Sequence, residues 1–290
     1  FGLTQNCLSD GGYLNYLRRM YGDKLDLPTP DDLRQCINDY RADIQKRVQE
    51  HRLEPGEHVS FGKNGKVEVS GMIAIEHLRA SMARMIFDRN TNKEFYIEES
   101  FPYDWMYSCL EPHGLIFRIN PEPLAELSPE IVHQDHDYWT KIESRMIGDW
   151  LNDDTPVQDV AAFAEKVYLR HDFSGFNGDS NFVLNAYSHR MFSKERQSIA
   201  GLYAWRAQHA VDAADEKRMD AAADFACRQA WGLCPDSPVV VFQYTAFLMT
   251  EKRYSDALVV AETAAKFRSG EGESQFDQLI AYLKRYSKTP

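Results

Sequence analysis

Apolar residues recur at helical spacing along most of this chain, and alternate in only a few short stretches. Tyr13, Leu14, Leu17 and Met20 fall on one face of a helix that Ser9 or Asp10 can cap and Gly22 can stop. Ahead of it, Phe1–Gln5 reads as a short strand. Leu33, Ile37, Tyr40, Ile44 and Val48 set a second helix, opened by Asp31 or Asp32 and broken by Pro55-Gly56. Val59, Phe61, Val67 and Val69 then alternate about Asn64-Gly65, a dipeptide suited to a tight hairpin turn. A helix over Met72–Phe87 follows, then strand-like runs at Glu94–Glu99 and Gly114–Ile119. A strand, a helical crossover and a second strand predict a small sheet with parallel pairing.

Pro121, Pro123 and Pro129 mark a boundary, beyond which the chain reads as helix: about Pro129–Trp150, Pro156–Arg170, Phe182–Ser193 and the final third. The turn-rich segment Phe173–Asn181 interrupts it. In the final third a period emerges. Ala223, Cys227, Ala230 and Pro235 are followed by Ala257, Ala261, Ala264 and Arg268, at the 34-residue tetratricopeptide spacing. Small side chains let paired helices approach closely, and stacked neighbours bury what one hairpin cannot. The repeats would run 204–237 and 238–271, with Tyr254 opening a second helix and 274–286 as a capping helix. One more period upstream lands on His189 and Ser193, which break the small-residue pattern.

The predicted fold class is therefore α+β and mostly helical, a small α/β N-terminal module followed by an α-helical tetratricopeptide-like array. Its parts are 1–125, with a β-hairpin near 59–69, a helical connector 126–200, and the repeats with their cap at 201–290.

Composition narrows the function. With 43% hydrophobic residues the 290-residue chain can bury a core, and a formal charge of -11 disfavours nucleic acid and anionic lipid surfaces. The longest apolar run, around Val239–Phe242, is far too short to span a bilayer, so a soluble fragment of a longer protein is expected. Five cysteines without a CxxC disfavour a disulfide framework and a zinc knuckle, and lean mildly towards a reducing compartment.

KEFYIEESFP (Lys93–Pro102) and LEPHGLIFRINPEPL (Leu110–Leu124) resemble the segment that follows the membrane helices in a family of polytopic GT-C-like glycosyltransferases. The family includes the animal transmembrane O-mannosyltransferase of plexin-type receptors. The opening TQNCLSDGGYLNYLRRMYGDKLDLP is similar to the point where such chains leave the membrane. Tyr96, Glu111, Pro112, Gly114 and Leu115 match the family's strand and turn pattern, which implies fold rather than chemistry. The resemblance covers about the first 125 residues, and the family often ends in tetratricopeptide repeats. It implies an extracytoplasmic, membrane-associated location and a membrane region of the parent chain as one partner. The family's acidic motif would lie upstream of Phe1, so its catalytic residues have no counterpart here.

Candidate chemistry is sparse. His133, His136 and Asp137 share a helix face but lack a third ligand. Glu98 and Glu99 beside Asp104, Trp105 and Tyr107 have the composition of a sugar site, yet consecutive strand residues face opposite ways. Asp172, Asn177, Asp179 and Asn181 lack calcium-loop spacing and read as a turn. No catalytic residue, metal site or cofactor is assigned. The concave face of the repeats is the candidate site: Trp205, Gln208 and Asp212 in one, Phe242, Ala246 and Met249 in the next, as an anchor for a protein or peptide. Packing of the same residues on a neighbouring hairpin fits equally well. The expected function is a non-catalytic, partner-binding region of a membrane glycosyltransferase. The alternatives are a free-standing cytoplasmic peptide-binding scaffold, or a carbohydrate-active or metal-dependent enzyme using Glu98, Asp104 or His133.

Overall fold

The computed structural model describes residues 3–53, 55–61, 67–98, 102–267 and 273–286, and is a mostly helical α+β protein. Its contacts divide it into two compact units, Phe1–Phe95 and Tyr96–Pro290. The division precedes the proline-rich stretch at 121–129, because the strand at Leu110–His113 packs with the helix at Pro129–Ile147.

The first unit holds α1 (Gly11–Tyr21), α2 (Pro30–Gln49), the hairpin β1 (His58–Phe61) and β2 (Val67–Ser70), and α3 (Met72–Arg89). Asp10 caps α1 by accepting from the Tyr13 amide. Gln5–Cys7 forms a 3-10 turn, so the expected strand at Phe1–Gln5 does not form at its described end. The second helix starts earlier than expected, with Thr29 and Asp32 in a reciprocal capping box and Pro30 in the first turn. Val59 pairs with Val69 and Phe61 with Val67, antiparallel as the alternation requires; the Asn64-Gly65 turn lies outside the described residues. Leu14, Leu17, Leu33, Met82 and Ile86 meet in one core cluster, Tyr40, Ile44 and Ala74 in another.

The second unit begins with a three-stranded sheet in the order β3 (Phe95–Ile97), β5 (Ile116–Ile119), β4 (Leu110–His113). The expected crossover contains the short α4 (Asp104–Tyr107) and a strand, β4, that the pattern does not reveal. β4 and β5 pair antiparallel through a two-residue turn, with Gly114 at φ 67° in its first position, where a side chain would be strained. The helices are α5 (Pro129–Ile147), α6 (Val157–Phe163) continued by a π-helical stretch at Ala164–Leu169, α7 (Ser180–Leu184), α8 (Ala186–Gln208), α9 (Ala213–Leu233), α10 (Pro238–Thr250), α11 (Tyr254–Ala265) and α12 (Glu273–Tyr286).

α8 and α9 form one long hairpin, which corrects the expected frame. The first helix of the first pair runs 186–208 instead of starting at 204, and it passes unbroken through the expected division at 200–201. Early residues of α8 meet late residues of α9, so the pair is antiparallel: His189 with Cys234, Ser193 with Ala230, Arg196 with Gln229 and Gln197 with Cys227. α10 and α11 form the shorter second pair and α12 covers α11. Ala223, Cys227, Ala230, Ala257, Ala261 and Ala264 are all buried, as close approach demands; Arg268 lies outside the described residues.

A single arginine ties the sheet to the hairpin. Arg206, buried near the end of α8, donates through Nη1 to the Leu124 carbonyl (2.8 Å) and through Nη2 to those of Ser108 (2.8 Å), Tyr107 (3.2 Å) and Leu110 (3.2 Å). These loop carbonyls have the guanidinium as a planar, multi-donor partner. Arg206→Ala is expected to cost about 3 kcal/mol, because it strands buried carbonyls as well as removing charged hydrogen bonds. Urea unfolding followed by tryptophan fluorescence checks this; a midpoint within error of the parent would refute the role.

Candidate binding surface and buried polar centre

The end of α8 and the start of α9 carry the first half of the expected binding face. Trp205 is half-buried, its ring stacked 4.0 Å from His209 and 5.6 Å from Tyr107. Gln208, the last residue of α8, is exposed. Asp212 is exposed too, and its carboxylate caps α9 by accepting from the amides of Ala214 and Asp215. On α10, Phe242 packs against Phe276 of the capping helix at 5.4 Å, Met249 is half-buried and Ala246 is open. The two large rings are therefore engaged by different neighbours within the chain. What stays open is Gln208, Asp212 and Ala246.

Beside Asp212 runs a groove of about 400 Å³, lined by Glu216, Lys217, Asp220, Asp224, Phe247, Glu251 and Arg253 among others. Acidic groups outnumber basic ones there. Arg253 is tied to Asp224 (2.9 Å) and Asp256 (2.8 Å), so its charge is already matched. Burial, then the charges of Glu251 and Glu216, raises the pKa of Asp220 above the ordinary aspartate value. Such a groove favours a cationic or hydrogen-bond-donating segment.

Beneath the surface lies a polar centre that sequence reasoning missed. α5 presents Asp135, Trp139 and Glu143 at successive turns of one face, all buried. Asp135 Oδ2 accepts from Arg196 Nη1 (2.7 Å) and from the Tyr203 hydroxyl (2.8 Å). The Arg196 guanidinium lies over the Trp139 ring, 5.2 Å from its centre, and its Nε donates to Gln229 Oε1 (2.8 Å). Gln229 passes the chain on, donating to Glu143 Oε2 at 2.6 Å. Three helices are linked by one hydrogen-bonded path. A second arginine, Arg228, donates to the carbonyls of Asp153 and Thr155 and pairs with Asp224.

The other sequence candidates separate. His133 and Asp137 are exposed and 3.7 Å apart, while His136 turns to Asp153 (3.2 Å) and stacks on Phe225. In that same segment Asp135 and Trp139 are the buried ones. Glu98 is exposed, Asp104 opens α4, and Glu99 lies outside the described residues. Asp172 caps a turn at Ser174, Asn177 donates to Asp149, and Asp179 with Asn181 starts α7. Among the described residues, one group of three side chains could hold a metal: His189, Cys234 and Asp236. The available signal was the failure of His189 and Ser193 to fit the small-residue repeat, since both instead make polar contacts across the hairpin.

No family model, curated protein or solved structure matches this chain. Among the described residues no helix is long and apolar enough to cross a membrane.

Burial, opposed by the Gln229 hydrogen bond and by Arg196 and Arg228, raises the Glu143 carboxyl to about 8. A pKa raised on folding means the native state holds a proton that the unfolded chain releases. The contribution is full below about pH 4.5 and is lost as pH climbs through about 8, at no more than about 1.4 kcal/mol per pH unit. Glu143→Gln is expected to flatten this fall between pH 5 and 8 and to be relatively more stable at the upper end. Urea midpoints across that range decide, and a slope equal to the parent's would refute the assignment.

Proposed function

We propose that this chain is a non-catalytic region of a GT-C-like membrane glycosyltransferase, whose helical hairpins bind an acceptor or partner polypeptide. One observation carries the binding part of the reading. Asp135, Arg196, Gln229 and Glu143 are hydrogen-bonded to one another in the interior of the second unit, whereas Gln208, Asp212 and Ala246 are exposed and the acidic groove is open. The exposed Gln208 amide and the acidic groove suit recognition of a hydrogen-bonding or cationic segment.

The family part rests on the residues that carry the resemblance. LEPHGLIFRINPEPL folds as the β4–β5 hairpin and the loop whose carbonyls Arg206 gathers, which fits a mounting element better than a reacting one. In this reading the small sheet-bearing part docks on the membrane region of the parent chain, on its extracytoplasmic side, and the hairpins face the partner.

Two measurements test it. Coding sequence upstream of Phe1 is expected to encode several membrane spans; an upstream region without them ends the family reading. Photo-crosslinking residues placed at Gln208 and Ala246 in the full protein are expected to capture the same polypeptide. One at exposed Tyr187, roughly 30 Å away along α8, is not. Equal capture from all three positions would end the binding reading.

A further inference from the structure

The open end of the α8–α9 hairpin gathers three side chains of metal-ligand chemistry from three backbone positions. His189 comes from the first turn of α8, Cys234 caps the end of α9, and Asp236 sits in the turn before α10. His189 and Cys234 are buried and Asp236 is half-buried. Nδ1 of His189 is 3.0 Å from Cys234 Sγ, which is 3.3 Å from Asp236 Oδ1, and all three donor atoms lie within 4.8 Å of one another.

Two roles compete for such a cluster. In cysteine-based catalysis the carboxylate orients the histidine, which in turn takes the thiol proton. Here the order is wrong: Asp236 bonds the thiol, so nothing in the triad holds the imidazole for that task. Cys234 is also fully buried, which closes its sulfur to attack on a substrate.

Metal coordination fits better. Bond lengths of about 2.0–2.3 Å in a tetrahedral zinc site separate ligand atoms by roughly 3.3–3.6 Å. The observed separations, from 3.0 Å to at most 4.8 Å, straddle that range. One thiolate and one carboxylate neutralise a dication, and a neutral imidazole completes the set, so the loaded site carries no net charge into a buried region. The backbone is fixed on each side: the Cys234 amide bonds Ala230, and the Ser237 amide bonds Cys234. Tyr168, whose hydroxyl donates to the Leu233 carbonyl, and Phe182 wall the histidine with their rings. Half-burial of Asp236 leaves an approach for the ion and for a water as fourth ligand.

We propose that His189, Cys234 and Asp236 bind one divalent transition metal of the zinc class, which staples the open end of the α8–α9 hairpin. Binding displaces the thiol proton to solvent and forms the metal–thiolate bond. The site is independent of the partner-binding reading above.

The test uses the full chain, stripped with chelator and titrated with Co²⁺, then with Zn²⁺ in competition. A thiolate-to-cobalt charge-transfer band should saturate at one equivalent and be erased by Zn²⁺, with release of about one proton per ion. Cys234→Ser should abolish the band, whereas Cys227→Ser, whose sulfur faces Gln197, should keep it. Asp236→Asn should weaken binding at least tenfold while retaining the band. If circular dichroism shows that Cys234→Ser fails to fold, His189→Gln and Asp236→Asn carry the test by the same loss of affinity. No saturable band in the parent would overturn the proposal. So would a band that survives in folded Cys234→Ser, or unchanged affinity in both His189→Gln and Asp236→Asn, which would mark an adventitious ion only.

Discussion

The second unit is organised around a charge that cannot reach water. Arg196 is almost wholly enclosed, and so is its counter-ion Asp135. Removing both from solvent is expensive, and the attraction between them recovers that cost only if geometry and further hydrogen bonds are good. The structure supplies three such contacts, Tyr203 on the same carboxylate oxygen, Gln229 on Nε, and the Trp139 ring under the guanidinium, while Asp135 Oδ1 has no partner among the described residues. Each partner sits on a different helix or a different turn, so the pair can be satisfied in one register of α5, α8 and α9 only. Apolar packing alone would tolerate sliding between such alanine-rich helices. The polar centre fixes which residues face each other, and losing one member would leave the other as an unmatched buried charge, a loss of about 3–5 kcal/mol.

That register determines what the surface offers. With α8 and α9 held in place, the hairpin's polar contacts run from His189 and Cys234 through Ser193 to Gln197, while Arg206 near the end of α8 turns to the carbonyls of Tyr107, Ser108, Leu110 and Leu124. The small residues of α9 are buried along this seam and against the helices beyond it. Gly232 shows how close the approach is, since a Cβ there would lie 3.3 Å from Ile147. Exposed groups at the end of α8 and the start of α9 are thereby presented on a rigid edge.

Much of the fold is legible in the sequence because it follows from one-dimensional signals. Caps at Asp10 and near Thr29, the alternation of Val59 and Val69, and the buried alanines at 223, 230, 257, 261 and 264 each express a local rule. The length of α8 is not expressed that way. Its stretch from His189 to Gln197 looks polar and reads as a broken helix, because the polar side chains are spent on partners 30 or more positions away. β4 is hidden for a related reason: its Leu110-Glu111-Pro112 gains strand character from pairing with β5. Helical spacing puts Trp205, Gln208 and Asp212 on one helix, whereas α8 ends at Gln208 and Asp212 caps α9. Burial of Trp205 and Phe242 by Tyr107, His209 and Phe276 depends on chain segments that no periodicity connects.

The four carbonyls gathered by Arg206 come from residues 107, 108, 110 and 124, all ahead of residue 126, where a reader would divide the chain. A shortened protein beginning at residue 126 would keep every helix from α5 onward, yet retain a guanidinium whose acceptors had been removed. It would have to solvate that group by loosening the last turns of α8, next to Trp205 and Gln208. The helical hairpins and the small sheet are therefore one heritable piece, and recombination or trimming between them would disturb the surface that the hairpins present.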